Sequence, residues 1–358
     1  MKYTPGGSMN PSESRARVTL ADVARRAEVS LKTASRALNA EPYVTEHTRQ
    51  RVLEAAAELG YERNAAATLL ASGQRSDTVG LITGDLSNPF YTVLAVGIEG
   101  ALRESGMRLS VASSAESPEQ EWSLASAFAS AQARAIIVAS SLRDHTPYAA
   151  LISRGIPVVF VDRPAVGIEA DSVVFGDVDG GRAAAEHLLA RGHRRIAFLG
   201  DYDWLPTSRG RLEGITERLR TDSEAAGGAG DGGASSLVVR MGVHGPDDAA
   251  ACTAELLALD EPPTAIVAGN NRITLGVAAQ SRRLDPGRRP ALLGFDDFEW
   301  SDVVGISVVA GDAAHMGEVA ARRALARMGD REERPTQTTL PMRLIERGSG
   351  ERLAADPA

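Results

Sequence analysis

The chain has 358 residues, with 39 Lys/Arg against 47 Asp/Glu for a formal charge of −8, and is 43% hydrophobic with few aromatics. That length suits two or three globular domains with an aliphatic core. The lone cysteine, Cys252, excludes a disulfide framework and a cysteine metal site, and no apolar run reaches the roughly 18 residues of a membrane span.

The charge is uneven along the chain. Ten Lys/Arg and seven Asp/Glu between Arg15 and Arg75 leave +3, the first fourteen residues are neutral together, and the remainder therefore carries −11. A basic head on an acidic body suits phosphate contact at one end and repulsion of the rest from nucleic acid. The opening MKYTPGGSMNPSESR lacks the apolar core of a signal peptide, so a cytoplasmic protein is expected. Residues 1–16 read as a disordered tail, with Met9 an alternative start.

Thr19 stands three residues before Asp22, a capping-box start, and Leu20, Val23, Ala24 and Ala27 follow at helical spacing. Glu28-Val29-Ser30 interrupts that helix, and Ser30 caps a second one whose Ala34, Ala37 and Leu38 face inward. Leu31, Lys32, Thr33, Ser35 and Arg36 are left outward on its first turns, the surface that a helix-turn-helix presents to the major groove. An ordinary helical hairpin with a solvated face would show the same spacing. A third helix has Val44 as staple, Thr45 as cap, Val52, Leu53, Ala56 and Leu59 as its buried stripe, and Gly60 as a left-handed end. Asn64 then caps AAATLLA, a helix of about two turns that is marginal on its own.

From Ser76 the rhythm becomes alternating strand and helix. TVGLIT, RLSVA, AIIVA and PVVFV, then RIAFLG, LVVR, AIVAG and ALLGF, are short β-branched runs with helical stretches between them. Strands that are apolar on both faces and separated by helices indicate parallel sheets, and two such sets indicate two doubly wound lobes. Gly228 to Gly233 satisfies G-x-G-x-x-G but follows a helix and precedes a strand, the reverse of a dinucleotide site. It belongs to a flexible glycine-rich insertion. His187 and His193 lack zinc-binding spacing, and there is no nucleophile elbow or phosphate loop. Neither an enzyme nor a bound metal or cofactor is expected.

The runs TLADVARRAEVSLKTASRALN and YVTEHTRQRVLEAAAELGYERNAAATLLASG, followed by GLITGDLSNPF, VDRP, HLLARGHRRIAFLG, RLEG, AGNN and GFDD, resemble the lac-repressor (LacI) family of bacterial transcription regulators from Thr19 to about Arg347. The resemblance implies an α/β fold with an N-terminal helix-turn-helix headpiece and a hinge helix. A two-lobed, periplasmic-binding-protein-like body of two doubly wound parallel sheets would follow. The expected divisions are a tail over 1–16, the DNA-binding domain over 17–62, hinge and linker over 63–75, the effector and dimerisation body over 76–347 and a C-terminal tail over 348–358. Within the body, lobe 1 is expected over 76–161 plus 308–335 and lobe 2 over 162–307 plus 336–347, with crossovers near Phe160–Asp162, Asp296–Glu299 and Ser307–Gly311.

Ligands of open α/β sheets bind beyond the carboxyl ends of the strands. That rule selects Asp85, Asn88 and Phe90 after the first strand and Asp162 with Arg163 after the fourth. It also selects Arg211 after RIAFLG, Asn270 after AIVAG and Asp296 after ALLGF. Carboxylate, guanidinium and amide groups beside an aromatic can hold a polyhydroxyl ligand, and Arg211, Asn270 and Asp296 match the family's ligand positions. Two departures stand out: Asn271 replaces the usual aspartate, and GISVVAGDAAHMG replaces the usual proline-stiffened crossover.

The function implied is a homodimeric repressor on a pseudo-palindromic DNA operator, controlled by a small molecule, most simply a sugar, between the lobes. Leu31, Lys32 and Arg36 would read base edges, and Thr33, Ser35 and Asn39 would hold phosphates. The resemblance places Ala67 and Leu70 of the hinge helix in the minor groove. A cytoplasmic sugar-binding protein without regulatory role would share the body but not the headpiece.

Overall fold

The computed structural model describes residues 18–61, 76–225, 235–329 and 334–353. The expected N-terminal tail, the hinge helix with Ala67 and Leu70, and the glycine-rich insertion lie outside these residues. The chain divides into two compact units, Met1–Gln74 and Arg75–Ala358.

The first unit holds three helices, α1 (Leu20–Arg26), α2 (Leu31–Leu38) and α3 (Glu46–Leu59). Each begins at the cap its sequence announces. Asp22 N–H donates to Thr19 Oγ1 at 3.4 Å while Thr19 N–H donates back to Asp22 Oδ2 at 3.0 Å. Thr33 N–H donates to Ser30 Oγ at 3.1 Å and Thr48 N–H to Thr45 Oγ1 at 3.3 Å. Gly60 closes α3 in the left-handed region at φ 64°. Val23, Ala24, Ala27, Ala34, Ala37, Val52, Ala55 and Ala56 form the core. Leu53 is 44% exposed and not part of it. Ala55 takes the inward place, because the stripe of α3 runs through positions 52, 55, 56 and 59.

The second unit contains two six-stranded sheets, ordered β11-β5-β4-β3-β1-β2 and β12-β10-β9-β8-β6-β7. The first comprises β1 (Thr78–Thr83), β2 (Arg108–Ser113), β3 (Ala135–Val138), β4 (Val158–Val161), β5 (Asp171–Phe175) and β11 (Gln337–Leu340). The second comprises β6 (Arg195–Leu199), β7 (Ser236–Arg240), β8 (Ala265–Ala268), β9 (Ala291–Phe295), β10 (Ser307–Ala310) and β12 (Arg343–Ile345). Every pairing is parallel except β10 with β12. Central strands are buried on both faces, as their uninterrupted apolar runs require, while the edge strands β2 and β7 are not.

The strand orders correct the expected lobe boundaries. β5 and β11 pair within the first sheet, not the second, and β10 lies in the second. The chain therefore crosses after β5 at Gly176, after β10 at Gly311, and between β11 and β12 at Pro341–Met342. Of the expected crossovers only the one near Ser307–Gly311 stands. Asp162 and Asp296 each stay within their own lobe. Two polar residues at the start of β5 hide it from a hydrophobicity reading. Asp171 and Ser172 are buried, and Asp171 is held by Arg327 Nε at 2.5 Å and by Thr336 N–H at 3.0 Å.

The α-helices described in the second unit are α4 (Pro89–Glu104), α5 (Pro118–Ser130), α6 (Ala149–Ser153), α7 (Asp177–Ala190), α8 (Pro206–Ala225), α9 (Pro246–Leu257), α10 (Asn271–Ser281), α11 (Glu299–Val304) and α12 (Ala313–Gly329). In RLEG, a Cβ on Gly214 would lie 1.9 Å from Val178 O, so only glycine lets α8 lie against α7. That contact brings Arg211 onto Asp177.

Candidate nucleic-acid interface and effector cleft

On α2 the fold buries Ala34 and Ala37 and leaves Leu31 and Lys32 outward, with Leu31 54% exposed. Lys32 makes no hydrogen bond or ion pair among the described residues. Arg36 lies 3.4 Å from Glu41 in a partly exposed ion pair, which is weak in solvent. Thr33 Oγ1 and Ser30 Oγ bond to each other at 2.8 Å, so Thr33 serves the cap as well as the outward face. Ser35 is half-buried and Asn39 exposed at the C-cap. The helix therefore carries an apolar and a cationic side chain at its N-terminal turn that its own fold does not employ.

In the body, all eight residues selected by the strand-end rule line one cavity between the lobes, of ≈ 50 Å³. Asp162 and Asp296 close the corresponding strands of the two lobes, β4 and β9, and both adopt left-handed backbone, φ 67° and 65°. Non-glycine residues hold that conformation only where surrounding structure imposes it, typically at ligand clamps.

Arg163 is buried and gripped from several sides. Its Nη1 and Nη2 donate to the two carboxylate oxygens of Glu116 at 2.8 and 2.7 Å, and Nη1 also to Ser140 O at 2.8 Å. A Cβ on Gly84 would fall 2.0 Å from Glu116 Oε1, so glycine at the end of β1 is what admits this carboxylate. Arg163 also stands 5.5 Å from the ring of Trp204 in the other lobe. Arg211 is held similarly: Nε to Asp177 Oδ1 at 2.8 Å, Nη1 to Gly269 O at 2.6 Å, Nη2 to Asp296 Oδ1 at 3.3 Å, with Phe295 4.6 Å away. Burial works hardest against both guanidinium charges, yet the acidic groups around them raise their pKa above the usual arginine value.

The carboxylates fare differently. Burial first, then the like charges of Asp177 and Asp296, push Asp162 up to about 7. Burial likewise raises Asp177. Asp85 is lowered: its burial is outweighed by hydrogen bonds from Ser87 and the nearby Arg272. Asn270 caps α10 through Ile273 N–H and donates to Asp201 Oδ2 at 2.8 Å, so both ends of its amide are engaged.

Three hydrogen bonds among the described residues join the lobes directly. Arg272 Nη1 donates to Asp85 Oδ2 at 2.6 Å and to Ser87 Oγ, and Asn271 Nδ2 donates to Asn88 Oδ1 at 2.8 Å. Asn88 Oδ1 also caps α4 at Phe90 N–H, 3.0 Å away. Phe90 packs edge-on to Tyr91 with centroids 5.2 Å apart. A cavity of ≈ 50 Å³ is small beside the ~300–1,000 Å³ of pockets for larger ligands. Side chains of the two lobes already meet inside it.

Sequence reasoning missed Tyr91, Glu116, Asp201, His244 and Arg272, which also line the cavity. The strand-end rule could have found most of them. Glu116 follows β2, Asp201 follows β6, and His244 follows β7, where hydrogen bonding to Asp201 at 3.0 Å raises its pKa.

Residues 19–64 match the model of "Bacterial regulatory proteins, lacI family", and residues 185–350 match that of a periplasmic binding protein-like domain. Catabolite control protein A of Priestia megaterium is 32% identical over 296 residues, 80% of this chain and 85% of its own. The solved structure of the transcriptional regulator CelR in complex with cellobiose is similar at TM-score 0.64 and 26% identity, over 93% of this chain and all of the other. The lac repressor dimer bound to operator and the anti-inducer ONPF shares the fold at TM-score 0.74 and 24% identity, over 94% of this chain and 99% of the other. The chain therefore belongs to the lacI family of bacterial regulatory proteins, and it is a DNA-binding transcriptional regulator under small-molecule control.

Proposed function

We propose that the protein is a cytoplasmic homodimeric repressor that grips a pseudo-palindromic operator with two copies of α2 and releases or tightens that grip when a carbohydrate enters the cleft. The observation that carries this reading is the outward, uncommitted N-terminal turn of α2, set on a core sealed by Ala34 and Ala37. Leu31, Lys32 and Arg36 read base edges, and Thr33, Ser35 and Asn39 position the helix on phosphates. Ala67 and Leu70 enter the minor groove, where a wedged leucine bends the duplex at a cost of a few kcal/mol that new contacts offset.

The effector part rests on the convergence of Asp85, Asn88, Phe90, Arg163, Arg211, Asn270 and Asp296 on one cavity. The CelR structure with cellobiose supports a sugar as ligand class. Ligand coupling to the operator is expected at about 1–3 kcal/mol. Selection of duplexes from a random pool by the purified chain tests the whole reading: a palindrome should be enriched, and no preference over random duplex, with or without sugars, would overturn it. Leu70→Ala should weaken operator affinity and leave sugar affinity in place.

A further inference from the structure

We propose that lobe 2 binds a divalent transition-metal ion, zinc or a close neighbour, between His187, Glu346 and Glu351. The site lies outside the effector cleft, and the proposal stands apart from the repressor reading.

The three side chains come from separate segments. His187 is in the last turn of α7, and Glu346 directly follows β12. Glu351 lies where the chain runs on beside β9 and β10, with Ser349 bonded to Leu292 N–H and Ser307 N–H. One donor atom from each of the three lies within 4.8 Å of the other two. Spacing along the chain gives no hint of this cluster, because both carboxylates stand more than 150 residues beyond His187.

The imidazole is what points to an ion. His187 is only 5% exposed, and its Nε2 is buried with no hydrogen-bond partner among the described residues. Glu351 Oε1 stands 2.8 Å from it and is likewise buried and without a partner. The two atoms are close enough for a hydrogen bond but not aligned for one. On the other side of the ring, Nδ1 lies 3.4 Å from Glu346 Oε1. A neutral imidazole carries a single N–H, so one of its nitrogens turns a lone pair toward a carboxylate oxygen. Buried polar atoms left in this way are costly, and a cation that accepts the lone pairs of both Nε2 and Oε1 removes the cost.

The surroundings hold the donors ready. The second oxygen of Glu351 accepts from Ser307 Oγ at 2.6 Å and from Gly348 N–H, which leaves Oε1 toward the ring, as outer partners of a metal ligand do. A Cβ on Gly350 would stand 3.2 Å from Nε2 and crowd that approach. Glu346 is half exposed and free to swing inward as the third ligand. Its present partner, Arg191 Nη2 at 3.1 Å, is a part-exposed ion pair that solvent makes weak. One imidazole nitrogen among carboxylate oxygens suits zinc better than magnesium or calcium, which prefer oxygen alone, and three protein ligands leave a position for water. Bound there, the ion ties the segment after β12 to α7.

The test is calorimetric titration of zinc chloride into the chelator-treated full chain at neutral pH, with magnesium chloride as comparison. One zinc per chain should bind in the micromolar range or tighter. His187→Gln and Glu351→Gln should each weaken it by at least about tenfold, the low end of what losing even an outer partner costs. His315→Gln removes the exposed histidine beside Glu318 and should leave that affinity unchanged. X-ray absorption of the zinc-loaded wild-type chain needs no variant to fold, and should show one imidazole nitrogen with the remaining ligands oxygen. Absence of zinc binding, magnesium bound as tightly as zinc, or an affinity unmoved in His187→Gln overturns the proposal. So does loss of the site in His315→Gln, or a zinc shell without imidazole.

Discussion

Replacing Arg211 by alanine exposes how the cleft is held together. The guanidinium is buried, with about one twentieth of its side chain exposed, and it neutralises Asp177 at 2.8 Å and Asp296 at 3.3 Å, both nearly buried. Removing one partner of a buried ion pair costs ~3–5 kcal/mol, because the other charge is stranded. Unfolding entropy of ~2.1 cal/mol/K per residue gives roughly 0.6 kcal/mol/K for a unit the size of Arg75–Ala358, so the melting temperature should fall by about 5–8 °C. The loss should depend on pH. Burial already raises Asp177, and without Arg211 its folded-state pKa rises further. A carboxyl whose folded pKa exceeds its unfolded one favours folding below the unfolded value and loses that advantage as pH climbs through the folded value. The deficit of Arg211→Ala is therefore larger at pH 8 than at pH 5. Scanning calorimetry of the full chain at both pH values measures it. A shift below about 1 °C at pH 8, or a deficit that grows on acidification, would refute the assignment of Arg211 as the neutralising centre of the cleft.

Four further outcomes are expected. Asp162→Asn should stabilise the body at pH 8 and lose that benefit toward pH 4, since the pKa of about 7 in the folded chain makes the wild-type carboxyl increasingly unfavourable as pH rises from its unfolded value to about 7; melting curves across that range check it. Ser30→Ala removes the cap that receives Thr33 N–H, and should lower headpiece stability by about 1 kcal/mol, read by amide exchange in α2. Lys32→Ala should relax base preference at one operator position, whereas a uniform loss across sequences in a binding-selection assay would make it a phosphate contact. Arg272→Ala cuts the ion pair to Asp85 across the lobes, and small-angle scattering should then report a more open body.

The headpiece was legible almost in full because its signals are local: Thr19, Ser30 and Thr45 each start a helix by bonding to their own neighbours, and Gly60 ends one by its own backbone freedom. The lobe crossings were not. β5 starts with Asp171 and Ser172; Ser172 Oγ accepts from Ala165 N–H nearby, but the burial of Asp171 is tolerable only because Arg327 and Thr336, more than 150 residues away in sequence, satisfy it. β11 reads QTTL and carries no apolar run at all, so only its pairing with β5 identifies it. The same distinction runs through the cleft. The strand-end rule located Asp85, Arg163, Arg211 and Asp296, since topology puts every such residue at one edge. It gave no hint that Glu116 would fork onto Arg163 or that Arg272 would reach Asp85, because those partners meet only after both sheets have formed.

The contacts between the lobes explain how so small a cavity can control anything. Arg272 with Asp85 and Asn271 with Asn88 already draw the two lobes together, so a ligand does not enter an open jaw but replaces bonds that are already made. Its leverage on the lobe angle is the difference between its own contacts and those it displaces, not its total binding energy. Asn271 matters for this balance. The aspartate usual at that position would bring another carboxylate to the Asn88 amide in a cleft where carboxylates already outnumber guanidiniums. The neutral amide donates to Asn88 instead, and its own buried Oδ1 has no partner among the described residues. A latch made from one part-exposed ion pair, the Arg272 bond to Ser87 and one amide pair is weak enough to be exchanged for ligand contacts, and the unpartnered oxygen lowers its strength further.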